Sequence, residues 1–227
     1  MEWQLFAGVP QEDVRRLLAI ARRRTFARNE VVFHRGDPAN ALHLIVAGRF
    51  AVTIITPLGD TAMLSVHGAG DAFGELALVS GGAAERSATV AALEPSETRA
   101  VLKDDFARLR REHPQVDAVL AAILAGSVRR LSEQVTEAYY LSAEARVLRR
   151  LVELAELYDG VVSLPQEALA ELAGTSRATV NRVLREQQER GAIELRRARI
   201  AVRDPERLRP RASYIDSTGQ RPIAPGR

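Results

Sequence analysis

The 227-residue chain contains no cysteine, which removes disulfides, thiolate nucleophiles and thiolate-held iron–sulfur clusters together. No apolar run approaches the roughly 18 residues that a membrane span needs. The N-terminal Met1-Glu2-Trp3-Gln4-Leu5 lacks a basic-then-apolar leader. The expected address is the cytoplasm, with no membrane partner. Lysine is almost missing too: Lys103 is the only one, so nearly all of the 32 basic residues are arginine. Against 29 acidic residues the formal net charge is only +3, so nucleic-acid binding would need that charge concentrated in one place. Catalytic signatures are also lacking. There is no H-x-H, H-E-x-x-H, G-x-S-x-G or phosphate-loop pattern, so neither an enzyme nor a metal site is expected. Gly68, Gly70 and Gly74 fall at G-x-G-x-x-x-G with no helix period after them, which is not a dinucleotide fingerprint. The four histidines (His34, His43, His67, His113) are scattered, the pattern of loop or surface residues.

What is present is an ordinary globular composition, 46% hydrophobic and 27% charged, over a length that suggests two compact domains. Residues 10–21 have a helical apolar face from Val14, Leu17, Leu18 and Ala21. Turn signals then recur at Gly36-Asp37, Gly48, Gly59-Asp60, Gly70-Asp71 and Gly81-Gly82, about eleven residues apart, separating strand-like runs. The strands expected are 31–33, 42–47, 50–55, 62–66 and 88–92, in an all-β sandwich or jelly roll. A short amphipathic helix over 103–112 precedes His113-Pro114.

A long helix is expected next, over 116–141. Along it Ala121, Leu124, Val128, Leu131, Val135, Ala138 and Ser142 alternate at steps of three and four. That spacing is a coiled-coil seam, and it predicts a parallel homodimer; the alternative is a helix packed on its own domain. Ser142 caps a further helix that ends at Tyr158-Asp159-Gly160, and residues 161–163 form a short strand. Pro165 opens a helix closed by Gly174, and Thr175-Ser176 caps another running to Arg190 and Gly191. Helix, glycine turn and capped helix make a helix-turn-helix. Two strands around Arg196-Arg197-Ala198-Arg199 supply a basic wing, one helical turn starts at Asp204-Pro205, and residues 213–227 form a flexible tail.

Two stretches carry chemistry. The first, Phe73 to Thr89, opens with Phe73-Gly74-Glu75-Leu76, a turn whose backbone N–H groups suit an anion. It closes with Arg86-Ser87-Ala88, a fork-shaped cation beside a hydroxyl, and Ser80-Gly81-Gly82 forms a flexible loop tip between. An ion pair between Glu75 and Arg86 across a hairpin is the plain alternative. The second stretch is Thr175-Ser176-Arg177-Ala178-Thr179-Val180-Asn181-Arg182. Its first turn presents Ser176, Arg177 and Thr179, with Arg182 further along, while Val180, Val183 and Leu184 turn inward. A helix of this kind offers its first residues to major-groove base edges.

The first stretch resembles the phosphate-binding cassette of cyclic-nucleotide-binding domains. Cassette, long helix and winged helix-turn-helix in that order resemble the cyclic AMP receptor protein (Crp/Fnr) family of bacterial transcription regulators. The resemblance implies an α+β protein in four parts: a cyclic-nucleotide-binding β jelly roll (1–112), a dimerisation helix (113–142), a winged helix-turn-helix (143–212) and the tail. It implies a homodimer on double-stranded DNA, with RNA polymerase as a further partner, and cyclic AMP or a related cyclic nucleotide as ligand. Glu75 would hold the ribose hydroxyl and Arg86 and Ser87 the cyclic phosphate, with Gly74, Leu76 and Ala88 around them. Leu131 and Ser132 occupy the helix positions that face the base, where the cyclic AMP receptor has a Thr-Ser pair; the cassette loop here is also one residue longer. Gln166, Thr175, Ser176, Arg177, Ala178, Thr179, Arg182 and Arg197 are the implied DNA-contacting set, with Ala178 standing where a Glu is common. Leu141 and Ser142 mark the implied hinge. A family member that binds DNA constitutively, its cassette a relic, is the alternative.

Overall fold

The computed structural model describes residue 6 and residues 9–56, 59–79, 84–197 and 199–212. The loop tip Ser80-Gly81-Gly82, Ala198 at the wing tip and the tail from 213 onward lie outside them. Two compact units divide the chain, with the boundary in the long helix between Leu131 and Ser132.

The first unit is built on two antiparallel four-stranded sheets. One joins β1 (Arg22–Phe26), β8 (Ser96–Leu102), β3 (Ala41–Ala47) and β6 (Ala72–Phe73), in that order. The other joins β2 (Val31–Phe33), β7 (Thr89–Ala92), β4 (Phe50–Ile55) and β5 (Thr61–His67). Phe26, Ile45, Phe50, Phe73, Val90 and Ala92, drawn from both sheets, fill the space between them. The outer face of the first sheet is also covered. There Leu42, Leu44 and Val101 pack with Leu17 of α1 (Gln11–Ile20), Leu78 of α2 (Leu76–Val79) and Phe106 and Leu109 of α3 (Lys103–Glu112). Because successive strand side chains point to opposite faces, β3 is buried on both sides, which explains an apolar run interrupted by His43 alone.

All five expected strands are present. β1, β6 and β8 went unread. The first four residues of β1, Arg22-Arg23-Arg24-Thr25, are exposed, so no buried alternation marks them as a strand. Its pairing with β8, Arg22 opposite Ala100 through Phe26 opposite Ser96, is what makes it one.

A 3-10 turn, Pro114–Val116, leads into α4 (Asp117–Tyr140). The seam on α4 is divided along its length. Val119, Leu120 and Ile123 are buried in the helix-covered core of the first unit, with Leu124 partly packed there. Further on, Val128, Leu131 and Val135 are 62%, 59% and 55% exposed. The packed-on-own-domain alternative therefore holds for the first two turns only. From Val128 onward the apolar stripe has no cover among the described residues.

In the second unit, α5 (Ala143–Leu157) is capped by Ser142, whose hydroxyl accepts from the Ala145 N–H. The three-stranded sheet runs β10 (Ile193–Arg196), β11 (Arg199–Val202), β9 (Val161–Val162). Helices α6 (Gln166–Ala173) and α7 (Arg177–Glu189) are joined at Gly174, whose left-handed φ of 58° suits a residue without Cβ. Leu148, Leu151, Leu169, Val180, Val183, Leu184 and Ile200 form the buried apolar set of this unit. The expected single turn at Asp204-Pro205 is instead the two-turn α8 (Pro205–Ala212), with fully buried Leu208 in its first turn. No helix among the described residues is long and apolar enough to cross a membrane.

Candidate functional site

The cassette lies where β6 gives way to α2. Gly74 sits between them at φ 81°, and a Cβ there would stand 2.5 Å from Nη1 of Arg86 and 3.0 Å from the Ala41 carbonyl oxygen. Glycine is thus required twice, for the positive φ and for the close approach of the arginine. Arg86 itself is buried, only 5% exposed, although it is an arginine. Its Nη1 donates to the Ala41 carbonyl at 2.8 Å and weakly to the Gly74 carbonyl at 3.4 Å. Its Cζ lies 3.9 Å above the centre of the Phe33 ring, within the range of a cation–π contact. Its Nε is buried with no hydrogen-bond partner among the described residues. Burial lowers the guanidinium below its ordinary range, and the fields of Asp37 and Glu75 oppose that shift.

Glu75 forms no ion pair with Arg86 within 4 Å, so the hairpin salt bridge is not made. The N–H groups of Glu75, Leu76, Ser87 and Ala88 have no hydrogen-bond partner among the described residues. Ser87 is exposed and Ala88 buried. The second half of the cassette is held in place by the turn between β2 and β3. Arg86 N–H donates to the Asp37 carbonyl at 2.8 Å, and the Gly36 N–H donates back to the Arg86 carbonyl at 2.9 Å. The arrangement brings together a cation with no carboxylate partner, a carboxylate with no ion pair and four backbone donors without partners among the described residues. Groups of these kinds suit an anion carrying hydroxyl groups. Leu131 and Ser132 are exposed on α4.

A residue that sequence reasoning misplaced adjoins the cassette. His43 is 5% exposed, on β3, stacked on Phe73 at 5.0 Å between ring centres and 8° between planes. Its Nδ1 lies 3.1 Å from the Thr98 hydroxyl. Burial above all, then the charges of Arg86 and Arg24, brings its pKa from 6.5 to about 3. His67 is buried as well, with Nε2 2.9 Å from the Ser65 hydroxyl. Two of the four histidines are therefore interior, contrary to the surface reading, because β-sheet faces bury residues whatever their spacing in the chain. No cluster of metal ligands occurs among the described residues.

In the second unit, Ser176 caps α7, its hydroxyl accepting from the Thr179 N–H at 3.2 Å and lying 3.0 Å from the Thr179 hydroxyl. Thr175 donates its N–H to the Ala170 carbonyl at 3.0 Å across the turn. Val180, Val183 and Leu184 are fully buried, which turns Arg177, Ala178, Arg182 and Arg185 outward. Arg177 and Arg182 have only loose carboxylate neighbours, Glu167 at 3.9 Å and Glu144 and Glu186 at 3.9 Å. On the wing Glu194 takes Arg196 at 2.7 Å and also pairs with Arg203. Arg197 and Arg199 form no ion pair among the described residues. A hollow of about 430 Å³ between the start of α6 and the wing is lined by Gln166, Glu167, Arg177, Arg196 and Arg199.

The junction before α5 holds two features with no sequence signature. Arg146 donates from Nε to the Ala173 carbonyl (2.9 Å), from Nη1 to the Leu141 carbonyl (2.9 Å) and from Nη2 to the Gly174 carbonyl (3.1 Å). One guanidinium thus serves the carbonyl ends of both α4 and α6. Beside it, buried Glu137 binds Arg149 Nε at 2.6 Å and also pairs with Arg150. A salt bridge across elements requires knowing which helices meet, and spacing along the chain does not say.

Comparison with known proteins gives both units a family. Residues 23–113 match the cyclic nucleotide-binding domain, and residues 145–211 match the Crp-like helix-turn-helix domain. The chain is 33% identical to the cyclic AMP receptor protein of Thermus thermophilus, over 88% of its own length and 92% of that protein's. It is 31% identical to the CRP-like cAMP-activated global transcriptional regulator of Mycobacterium tuberculosis, over 92% and 96%. Among solved structures, FixK2 from Bradyrhizobium japonicum superposes with a TM-score of 0.73 over 84% of this chain and 96% of that one, at 20% identity, a likeness of fold alone. Both halves lead to one conclusion: this chain belongs to the Crp/Fnr family of DNA-binding transcription regulators and carries a cyclic nucleotide-binding domain.

Proposed function

We propose that the chain is a homodimeric regulator whose grip on duplex DNA is set by a cyclic nucleotide, cyclic AMP or a close relative, held in the β-roll. The observation that carries this reading is Arg86. A guanidinium that is buried, lacks a carboxylate partner and keeps an unsatisfied Nε is costly unless an anion completes it. A cyclic phosphate supplies that charge, with the free N–H groups of Ser87 and Ala88 and the Ser87 hydroxyl as further donors. Glu75, lacking an internal ion pair, takes the ribose 2′-hydroxyl. Leu131 and Ser132 meet the base, so its discrimination rests on one hydroxyl rather than two.

The exposed stripe of Val128, Leu131 and Val135 supports pairing of α4 with the same helix of a second copy. Arg177 and Arg182 face base edges. Gln166, Thr175, Arg197 and Arg199 hold phosphates, while Arg196 is largely neutralised by Glu194. Ligand binding favours one setting of the junction at Leu141 and Ser142, and so one spacing of the two recognition helices, about 34 Å for adjacent major grooves.

Isothermal calorimetry with cyclic AMP and cyclic GMP tests the ligand. Wild-type protein is expected to bind, and Arg86→Leu to lose well over tenfold in affinity, since a broken charge-assisted contact to a buried anion costs about 2–5 kcal/mol. Absence of binding at millimolar nucleotide overturns the ligand half and leaves a constitutive DNA-binding protein.

A further inference from the structure

The outward side of α7 contains an amide side chain, Asn181, that the DNA-contacting set leaves out. Arg177, Asn181 and Arg185 follow one another at four-residue steps and so form a row along the helix, with Ala178 and Arg182 in the adjacent row. The buried positions Val180, Val183, Leu184 and Gln187 fix which way this face turns. On it lies a shallow hollow of about 510 Å³, lined by Ala178, Asn181, Arg182, Arg185, Glu186 and Glu189. Ala178 ends at its Cβ, and that short side chain is what leaves room at the mouth of the row.

Asn181 is hard to explain by the fold. Asparagine is a poor residue for a helix interior and is normally kept there by a cap or by a bond to its own backbone. Asn181 is in the second turn, half-buried, and its amide makes no hydrogen bond among the described residues. Of its neighbours on the polar side, Ser176 and Thr179 bond each other, while Arg177 and Arg182 have only loose carboxylates at 3.9 Å. An unpartnered donor–acceptor pair therefore stands in the middle of the row that would enter the groove.

We propose that Asn181 reads a base, and that the base is adenine. Its Nδ2 donates to adenine N7 while its Oδ1 accepts from the adenine N6 amino group, the one purine edge that offers an acceptor and a donor side by side in the major groove. Guanine offers two acceptors there, so its O6 would oppose the Asn oxygen. Asparagine is a short side chain, and it reaches a base edge only if the helix comes close; the small Ala178 beside it permits that approach. The specificity of α7 thus rests on Arg177, Asn181 and Arg182, with adenine near a guanine in each half of the site. This inference rests on the duplex-binding reading above.

Selection of binding sites from random duplexes tests it, using the full chain with and without cyclic AMP and comparing wild type with Asn181→Ala. Alanine is the better helix former, so the variant keeps α7. The wild-type motif is expected to hold a two-fold symmetric site with an adenine in each half. In Asn181→Ala the guanines should persist while preference at the adenine position vanishes. In competition binding, replacing that A·T pair by G·C should cost the wild type roughly tenfold or more and the variant less than about twofold. An unchanged motif, or a weakening of Asn181→Ala that is equal on all sequences, overturns the proposal, the latter by making Asn181 a phosphate contact. A wild type that selects no motif at all sinks the duplex-binding reading itself, and is plainly different from a motif that the substitution leaves unmoved.

Discussion

At the scale of the residue, the first unit is organised by polar side chains that are buried. Arg86 and His43 lie close enough in the same roll for the arginine's charge to help hold the imidazole neutral. This has a consequence for stability. The unfolded chain protonates this histidine below about pH 6.5, while the folded chain resists until about pH 3. Between those values the unfolded state binds the extra proton, so stability rises with pH and falls on acidification. One group of this kind contributes a slope of up to about 1.4 kcal/mol per pH unit. His43→Phe keeps an aromatic ring against Phe73 but removes the titration. Urea unfolding from pH 4.5 to 7 should show a shallower acid loss for the variant than for wild type. Parallel curves would mean that His43 is protonated in the folded state.

At the scale of the element, α4 is two helices in one by environment. Its first turns serve the core of the roll, and its later turns present Val128, Leu131 and Val135 outward. Val135→Glu is therefore the sharper test of dimerisation than a change at Leu124, which also packs inside its own unit. Light scattering should report a dimer for wild type and a monomer for Val135→Glu, with circular dichroism unchanged. A dimeric variant would show that another surface holds the copies together. Arg146 acts on elements too, since its fork satisfies carbonyls of Leu141, Ala173 and Gly174 at once. Arg146→Ala leaves those helix ends open, and the loss of charge-assisted bonds should lower the stability of the second unit by about 1.5–3 kcal/mol. Arg146→Lys, with one point charge in place of a planar fork, should recover only part of it. Thermal unfolding of the three proteins decides, and an unshifted midpoint for the alanine variant would show that water replaces the fork without cost.

At the scale of the whole molecule, the charge that is too small in sum is sorted by pairing. Many of the described arginines are matched by a nearby carboxylate, and those of the wing divide into the tied Arg196 and the unpaired Arg197 and Arg199. Binding to duplex DNA should reflect this division. Arg197→Ala should reduce the slope of log affinity against log salt by about one on every sequence, and Arg196→Ala should do so less. Arg177→Ala should instead cost about 1–3 kcal/mol at a guanine step and leave other sequences nearly unaffected. Fluorescence anisotropy across a salt series, on a selected duplex and a scrambled one, separates the two. Equal loss of specificity from Arg177→Ala and Arg197→Ala would overturn the assignment of roles.

Local signals carried far in this chain because they are local in physics. The Ser142 and Ser176 caps, the left-handed turn at Gly174 and the inward stripe of Val180, Val183 and Leu184 depend on residues within one or two turns of each other, and all were legible. The cyclic nucleotide-binding domain was legible for a related reason, since the glycine, carboxylate and arginine that mark its resemblance fall at set places on a single stretch. The strand character of Arg22–Phe26, the burial of His43 and His67, the lone Nε of Arg86 and the Arg146 fork were not. Each depends on what a residue meets from a distant part of the chain: β8 beside β1, Phe73 over His43, Ala41 and Phe33 around Arg86, the carbonyls of α4 and α6 at Arg146. The sequence by itself determined the locally signalled helices, turns and caps and the kind of protein. Tertiary structure alone decided which polar groups lost their water, because desolvation is a property of packing and not of spacing.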